Sequence, residues 1–196
     1  APRHTERPLL WGECDLMGST IFATVGAQMG FDRLISAVDA WAKQHPETTV
    51  FAQIGPGSYE PRSMEWTRLL EPAAFRMRVE TADALVGHAG MGTIITALQH
   101  AKPVLIMPRR GDRQETRNDH QVATADRFGS KPGVLVAMDE GDIARKLDTI
   151  LSADRPDPLG NTASTQLVET IRRFIHSAGA DAASVRPPSD STETDP

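Results

Sequence analysis

The sequence predicts an α/β domain built on a Rossmann-like, doubly wound parallel sheet, and three features of the chain lead to that prediction. Short apolar runs alternate with stretches in which apolar residues recur at helical spacing. The runs are apolar at nearly every position, which is typical of strands covered on both faces of a sheet. Glycine-rich turns follow several runs, and a parallel sheet with helices on both sides accommodates this order.

The first half of the chain predicts three strands and two helices. The segments are, in order, a strand at 20–25, a helix with apolar residues from Phe31 to Trp41, a strand at 49–54, a weaker strand at 64–70 and a helix at 72–79. The run at 20–25 (TIFATV) is rich in β-branched and aromatic residues. Pro72 suits the first turn of its helix, where a backbone N–H has no partner inside the helix.

The second half continues the alternation and then changes character. It predicts strands at 84–88, 104–107 and 134–136 and helices at 91–101, 116–128 and 139–151. An amphipathic stripe with Leu167, Ile171 and Phe174 predicts one extra C-terminal helix at 162–178, which by default packs on the domain's own sheet. The chain is thereby divided into an irregular leader (1–18), one domain (19–152), a linker with the extra helix (153–178) and a disordered tail (179–196).

Composition narrows the classes of function. The net charge of −5 argues against a nucleic-acid groove, because phosphate backbones are bound by a surplus of lysine and arginine. The single cysteine, Cys14, excludes an internal disulfide framework and fits a reducing compartment. No apolar stretch approaches the roughly 20 residues that span a bilayer, and the first residues show no secretory signal. A cytoplasmic protein is the default expectation.

Four loops follow predicted strands, at 26–30, 55–58, 88–93 and 108–121, where doubly wound sheets bind ligands. The sharpest is GHAGMGT at 87–93, which joins a strand to a helix. Its glycines would let a phosphate approach the free N–H groups of the helix start, and His88 and Thr93 add donors. A simpler interpretation is that the glycines only make a tight turn, and spacing alone favours binding only slightly.

The loop at 109–121 (RRGDRQETRNDHQ) is long and polar. Its amide, carboxylate and imidazole groups suit a polyhydroxylated ligand, because such groups share hydrogen bonds with hydroxyls. The alternative is a solvated charged loop, and composition alone favours that alternative. The acids and histidines (Asp112, Glu115, Asp119, His120 and His88) match no zinc spacing, and no Gly-x-Ser-x-Gly motif is present. We therefore expect no metal and no cofactor.

Four motifs occur in one order along the chain: FATVG with FDRL, VFAQIG, ADALVGHAGMGT and NDHQ. Together they resemble the C-terminal domain of glycosyltransferase family 28 over residues 19–152. The similarity is greatest to the small stand-alone subunits of that family, such as the catalytic subunit of the dolichol-linked GlcNAc transferase and bacterial exopolysaccharide glycosyltransferase subunits. The resemblance implies the C-terminal half of a GT-B enzyme that is inverting and metal-independent and that uses a UDP-sugar.

The resemblance also implies roles for individual residues. His88 and His120 are the catalytic candidates, Gln121 with His120 would bind donor-sugar hydroxyls, and the amide of Leu70 would read the uracil edge. The other predicted donor-site residues are Gly26, Ala27, Gly55, Ala89, Gly90, Met91, Gly92, Thr93, Thr96, Glu115 and Asn118. One position departs from the family: Thr96 stands where a glutamate often binds the ribose hydroxyls, and a threonine cannot chelate both of them.

A complete GT-B enzyme has two such domains with the acceptor between them, whereas this sequence predicts one. The resemblance therefore implies a membrane-anchored partner subunit that binds the acceptor and holds this domain at the inner face of the membrane. A homo-oligomer is left open. Two rivals are a non-catalytic nucleotide-sugar-binding regulatory or scaffold subunit and an epimerase of the same architecture. The epimerase would need both domains in one chain, and it would also need carboxylates beside the sugar.

Overall fold

Six strands and five α-helices make up the part of the chain that this computed structural model describes, residues 18–153, 155–159 and 169. The strands are β1 (Thr20–Thr24), β2 (Thr49–Gln53), β3 (Glu65–Thr67), β4 (Ala84–His88), β5 (Val104–Met107) and β6 (Val134–Val136). The helices are α1 (Asp32–Ala42), α2 (Pro72–Thr81), α3 (Met91–Gln99), α4 (His120–Phe128) and α5 (Ile143–Ile150), with a 3-10 turn at Glu140–Asp142 before α5.

The strands form one parallel sheet in the order β3-β2-β1-β4-β5-β6. The central strand is β1, whose Phe22 lies beside Phe51 of β2 and Leu85 of β4. Strand order reverses between β1 and β4, so the connections that leave these strands diverge and leave a crevice at the carboxyl edge. Open α/β sheets bind their ligands in that crevice.

Helices cover both faces of the sheet, which explains why its strands are apolar throughout. On one face, α1 and α5 bury Leu34, Ile35 and Leu147, each no more than 1% exposed. On the other face, α2 and α3 bury Val79 and Ile94 against alternate strand residues. The Rossmann-like, doubly wound parallel sheet predicted from the sequence is confirmed.

Several element ends differ from the predicted ones for local reasons. Helix α4 begins at 120 and not at 116, after a turn in which Asp119 Oδ1 accepts from the backbone N–H of Gly111 at 2.8 Å. Helix α3 stops at 99 and not at 101, because Ala101 has a φ of 51°, in the left-handed region. The helix predicted at 139–151 begins as the 3-10 turn, where Asp139 accepts from Gly141 N at 3.0 Å. Strand β3 has three residues rather than the predicted 64–70.

The predicted leader, the extra helix at 162–178 and the tail at 179–196 lie outside the described residues, apart from residues 18 and 169. None of the helices described above combines the length and the apolar character that crossing a bilayer requires.

Candidate functional site

The loops that follow β1, β4 and β5 enclose a cleft of about 780 Å³ at the carboxyl edge of the sheet. One wall is the β1–α1 loop from Val25 to Met29, and the other is the β5–α4 loop with Arg109 and residues 116–118 and 120–121. His88, at the end of β4, also lines the cleft. The predicted site residues that the structure brings together here are Gly26, Ala27, His88, Asn118, His120 and Gln121.

A second cleft of about 470 Å³ shares Gly26 and Ala27 with the first. It is lined by the last residue of β2, by residues that follow β3 and by residues of helices α2 and α3, and these include the predicted Leu70 and Thr96. No aspartate or glutamate of the described residues is part of this lining. Within this lining, the hydroxyl of Thr96 therefore has no neighbouring carboxylate that could bind the two hydroxyls of a ribose together with it.

The backbone amide of Leu70, which we expected to face a nucleobase, is already paired within the protein. It donates to Oε1 of Gln53 at 3.0 Å, and Nε2 of the same side chain donates to the carbonyl of Gly26 at 3.3 Å. Gln53 ends β2 and is 3% exposed, so its amide must find partners inside the fold. A base could be read by this amide only if it displaced that hydrogen bond.

The β4–α3 loop places His88 over the start of α3. Gly90 has an ordinary φ of −92°, and space is what requires its glycine, because a Cβ there would overlap the His88 ring. Thr93 Oγ1 lies 3.4 Å from Nδ1 of His88. Gly92 differs, since a Cβ at this position would meet no described protein atom within 4 Å. The described fold therefore gives no steric reason for glycine at 92.

Seven of the predicted residues line neither cleft: Gly90, Gly92 and Thr93 at the start of α3, and Gly55, Ala89, Met91 and Glu115. Ala89 is 1% exposed and belongs to the core beneath the loop, and Met91 points its side chain to a separate apolar groove. Gly55 has a φ of 60°, and a Cβ there would lie 3.2 Å from the carbonyl oxygen of Gly26. Its glycine thus supports the β1–α1 loop from behind. Glu115 faces helix α1, where it accepts from Arg33.

His88 is uncharged at neutral pH. Burial lowers its pKa to about 4, the guanidinium of Arg109 acts in the same direction, and a hydrogen bond with the backbone of Thr24 opposes both. A neutral imidazole still keeps one N–H donor. That donor is shared with the Thr24 backbone, whereas a bound anion favours protonation of the ring, which supplies a second N–H for a phosphate oxygen.

The wall formed by the β5–α4 loop presents two different side chains. Gln121 is 6% exposed, and its Oε1 accepts from the backbone N–H of Arg109 at 3.1 Å. His120 is exposed, and its Nδ1 contacts Oδ1 of Asn118. Part of Gln121 is thus used to hold the loop, while the His120 ring is oriented by Asn118 at the edge of the cleft.

Two arginines of the site were not singled out by sequence reasoning. Arg109 is 3% exposed and donates to carbonyls of the β1–α1 loop, and Arg33 of α1 holds both carboxylate oxygens of Glu115 at 2.7 and 2.8 Å. The available signal for Arg109 is its position just beyond β5. Because it opens a run of charged residues, the pattern resembles a solvated loop. Nothing in the sequence near Arg33 indicates its partner, which lies 82 residues away.

Within the described residues, no three histidine, cysteine, aspartate or glutamate side chains lie close enough together to hold a metal ion.

Comparison with known families gives the site its context. The sequence profile of the glycosyltransferase family 28 C-terminal domain matches residues 20–173, more than half of the chain. The chain belongs to this family. Among curated protein sequences, none matches the chain.

Solved structures resemble this family 28 domain at low sequence identity, which shows the shared fold alone. The UDP-GlcNAc 2-epimerase of Methanocaldococcus jannaschii, solved with UDP-GlcNAc and UDP, has a TM-score of 0.53 at 10% identity, over 81% of this chain and 46% of its own. The glycosyltransferase of kitacinnamycin has a TM-score of 0.52 at 16% identity, and the match covers 91% of this chain and 44% of that structure. The structure of ALG13 has a TM-score of 0.52 at 16% identity, and the match covers 79% of this chain and 94% of that structure. The chain thus spans less than half the length of the first two structures.

Proposed function

We propose that this family 28 domain is the donor-binding, catalytic subunit of an inverting, metal-independent glycosyltransferase, which transfers a sugar from a UDP-sugar to a lipid-linked or polysaccharide-precursor acceptor. One observation carries the proposal: at the reversal in strand order, a glycine-rich helix start follows His88, and His88 lines a large polar-walled cleft. Helix starts of this kind bind phosphate through free N–H groups and a partial positive charge.

The presence of glycine at position 92 supports the assignment of a phosphate to this helix start. A glycine in a helix is about 1 kcal/mol less favourable than an alanine. Neither a left-handed φ nor a crowded neighbour explains glycine at 92. A diphosphate that approaches the backbone within hydrogen-bond distance would explain it, because a methyl group there would occupy the same space.

The two clefts suit the two ends of a nucleotide-sugar. We assign the diphosphate to His88 and the first turn of α3, and the sugar to the large cleft beside His120 and Gln121. The smaller cleft, with Thr96, would hold the nucleoside. Their volumes, about 780 and 470 Å³, lie in the range of ligand pockets. The β1–α1 loop, shared by both clefts, would face the acceptor.

The proposed reaction is a direct displacement at the anomeric carbon. An acceptor hydroxyl forms the new carbon–oxygen bond from the face opposite the diphosphate, and the bond to the phosphate oxygen breaks with its electron pair leaving on UDP. The N–H of His88 and the start of α3 would stabilise the charge that develops there. The hydroxyl proton passes to a general base, for which His120 is the candidate in this chain.

A membrane-anchored partner subunit would supply the acceptor half and keep this domain peripheral at the cytoplasmic face of the membrane. The proposal is supported by the similarity in fold to ALG13, whose structure this chain matches over 94% of its length. Activity is then expected only when the partner is present.

Calorimetric titration with UDP and GDP tests the proposal. We expect UDP to bind, GDP to bind much more weakly, and His88→Ala to lose several-fold in UDP affinity because a donor to the diphosphate is removed. His45→Ala is the matched control, since His45 stacks on Trp41 and lies outside both clefts. If neither nucleotide binds at millimolar concentration, the donor-site assignment to this chain is rejected.

A non-catalytic nucleotide-sugar-binding subunit is the second candidate, and it is favoured because no carboxylate of the described residues lines the smaller cleft. The two candidates differ in turnover. A regulatory subunit would bind UDP-sugar and leave it intact with any acceptor and partner, whereas a catalytic subunit would release UDP.

A further inference from the structure

Arg109 ties one wall of the large cleft to the other. It is the second residue of the β5–α4 loop, and its guanidinium donates to the carbonyl oxygens of Val25 at 2.9 Å, Met29 at 2.8 Å and Gly30 in the β1–α1 loop. The same guanidinium lies 4.7 Å over the ring of Phe31. These donors are used on the protein itself, so Arg109 braces the cleft rather than reaching into it.

Arg33 makes a second connection between the two walls, which runs from helix α1 to the β5–α4 loop. From the first turn of α1 it holds both oxygens of Glu115 at 2.7 and 2.8 Å, and it also donates to the carbonyl of Pro108 at 3.1 Å. The side chains of Arg33 and Glu115 are only 11% and 13% exposed. A shielded, two-point ion pair of this kind fixes geometry far better than an exposed pair does.

We propose that Arg33, Arg109 and Glu115 form an arginine clasp that holds the β1–α1 and β5–α4 loops at a fixed separation, so that the donor cleft exists before any ligand arrives. All three are positioning residues. The inference rests on the proposed function only in that the preformed cleft is taken to bind a nucleotide. Because the loops are already ordered, binding would not have to pay for ordering them.

The same loop offers a matched control. Arg110 pairs with Asp112, two residues away, and the two side chains are 42% and 61% exposed. That pair joins no second loop, so Arg110→Gln removes an arginine ion pair and leaves the clasp in place.

The test compares Glu115→Gln, Arg33→Gln and the double variant with Arg110→Gln, all first shown to be folded by thermal unfolding. Backbone ¹⁵N order parameters of residues 26–30 are measured without ligand. We expect about 0.8 in the wild type and in Arg110→Gln, and a fall toward about 0.6 in the clasp variants. The double variant should lose no more than either single one, because the pair acts as a unit.

The affinity for UDP provides the functional arm. We expect the dissociation constant to rise roughly fivefold or more in Glu115→Gln and to change less than about twofold in Arg110→Gln. Unchanged order parameters at 26–30 in a folded Glu115→Gln protein would overturn the clasp. Unchanged UDP affinity despite a loosened loop would overturn its role in the donor cleft. If the wild type binds no nucleotide, the proposed function fails, while the order parameters still decide the clasp.

Discussion

At the scale of single residues, His88 makes the free energy of unfolding depend on pH. Its pKa is about 4 when folded, against 6.5 for an ordinary histidine, so between these values the unfolded chain binds more protons. Stability is therefore full above about pH 6.5 and is lost as the pH falls toward 4. From His88 we predict a loss of about 2 kcal/mol between about pH 7.5 and about pH 5, measured by urea unfolding.

A His88→Gln variant removes this titration. Its free energy of unfolding should fall less over the same pH interval, by about the 2 kcal/mol assigned to His88. If the wild type and the variant lose stability equally between the two pH values, His88 is not the source of the pH dependence.

Gly92 predicts opposite effects on stability and on binding. Gly92→Ala should raise the free energy of unfolding by up to about 1 kcal/mol, because alanine favours a helix and the added methyl meets no described protein atom. The same methyl would stand in the path of a phosphate, so UDP affinity should fall roughly tenfold. Urea unfolding and calorimetry measure the two effects. An unchanged affinity would mean that no phosphate approaches Gly92.

With a threonine at position 96, we predict that the site discriminates only weakly between nucleotides with ribose and nucleotides with deoxyribose. Since no described carboxylate lines the smaller cleft, UDP and 2′-deoxy-UDP should bind the wild type within about threefold of each other. Thr96→Glu supplies an acceptor for both ribose hydroxyls and should add a preference for UDP of roughly tenfold. Competition binding with both nucleotides measures this. A strong preference for UDP in the wild type would show that another group reads the 2′-hydroxyl.

At the scale of elements, the sequence predicted the strands and helices well because each depends on a local apolar period. The start of α4 could not be predicted in this way, since the turn before it is held by Asp119 on the amide of Gly111. The arginine clasp could not be predicted from the sequence either, for the same reason. Arg33 and Glu115 meet only because β1 and β5 open at the same edge of the sheet.

The opposite edge of the sheet should affect stability and leave binding alone. Lys102, 8% exposed, donates to the carbonyl oxygens of Glu80 and Ala82 at 2.8 and 2.6 Å, at the end of α2. Lys102→Met would leave these acceptors without that donor and should lower the free energy of unfolding by about 1–3 kcal/mol. Urea unfolding measures this. UDP affinity below the unfolding transition should stay within about twofold, and a larger change would mean that the site extends beyond the carboxyl edge.

At the scale of the whole molecule, fold, family and the place of the cleft followed from four motifs in one order. Their glycines and strand ends are local signals. The hydrogen bonds and ion pairs within the site could not be predicted from these motifs, because they are buried polar contacts between distant segments. Gln53 is the example: it reads as an ordinary strand residue, yet it occupies the Leu70 amide that we had assigned to a base.

The most direct measurement is a titration of the ¹⁵N-labelled protein with UDP, followed by amide chemical shifts. We predict the largest shifts at the start of α3, from Gly90 to Thr93, together with those of Gly26 and Ala27, the two residues shared by both clefts. Absence of shifts at millimolar UDP, or shifts confined to the apolar groove that contains Ile95, Leu98 and Phe128, would contradict a nucleotide-sugar site at the reversal in strand order.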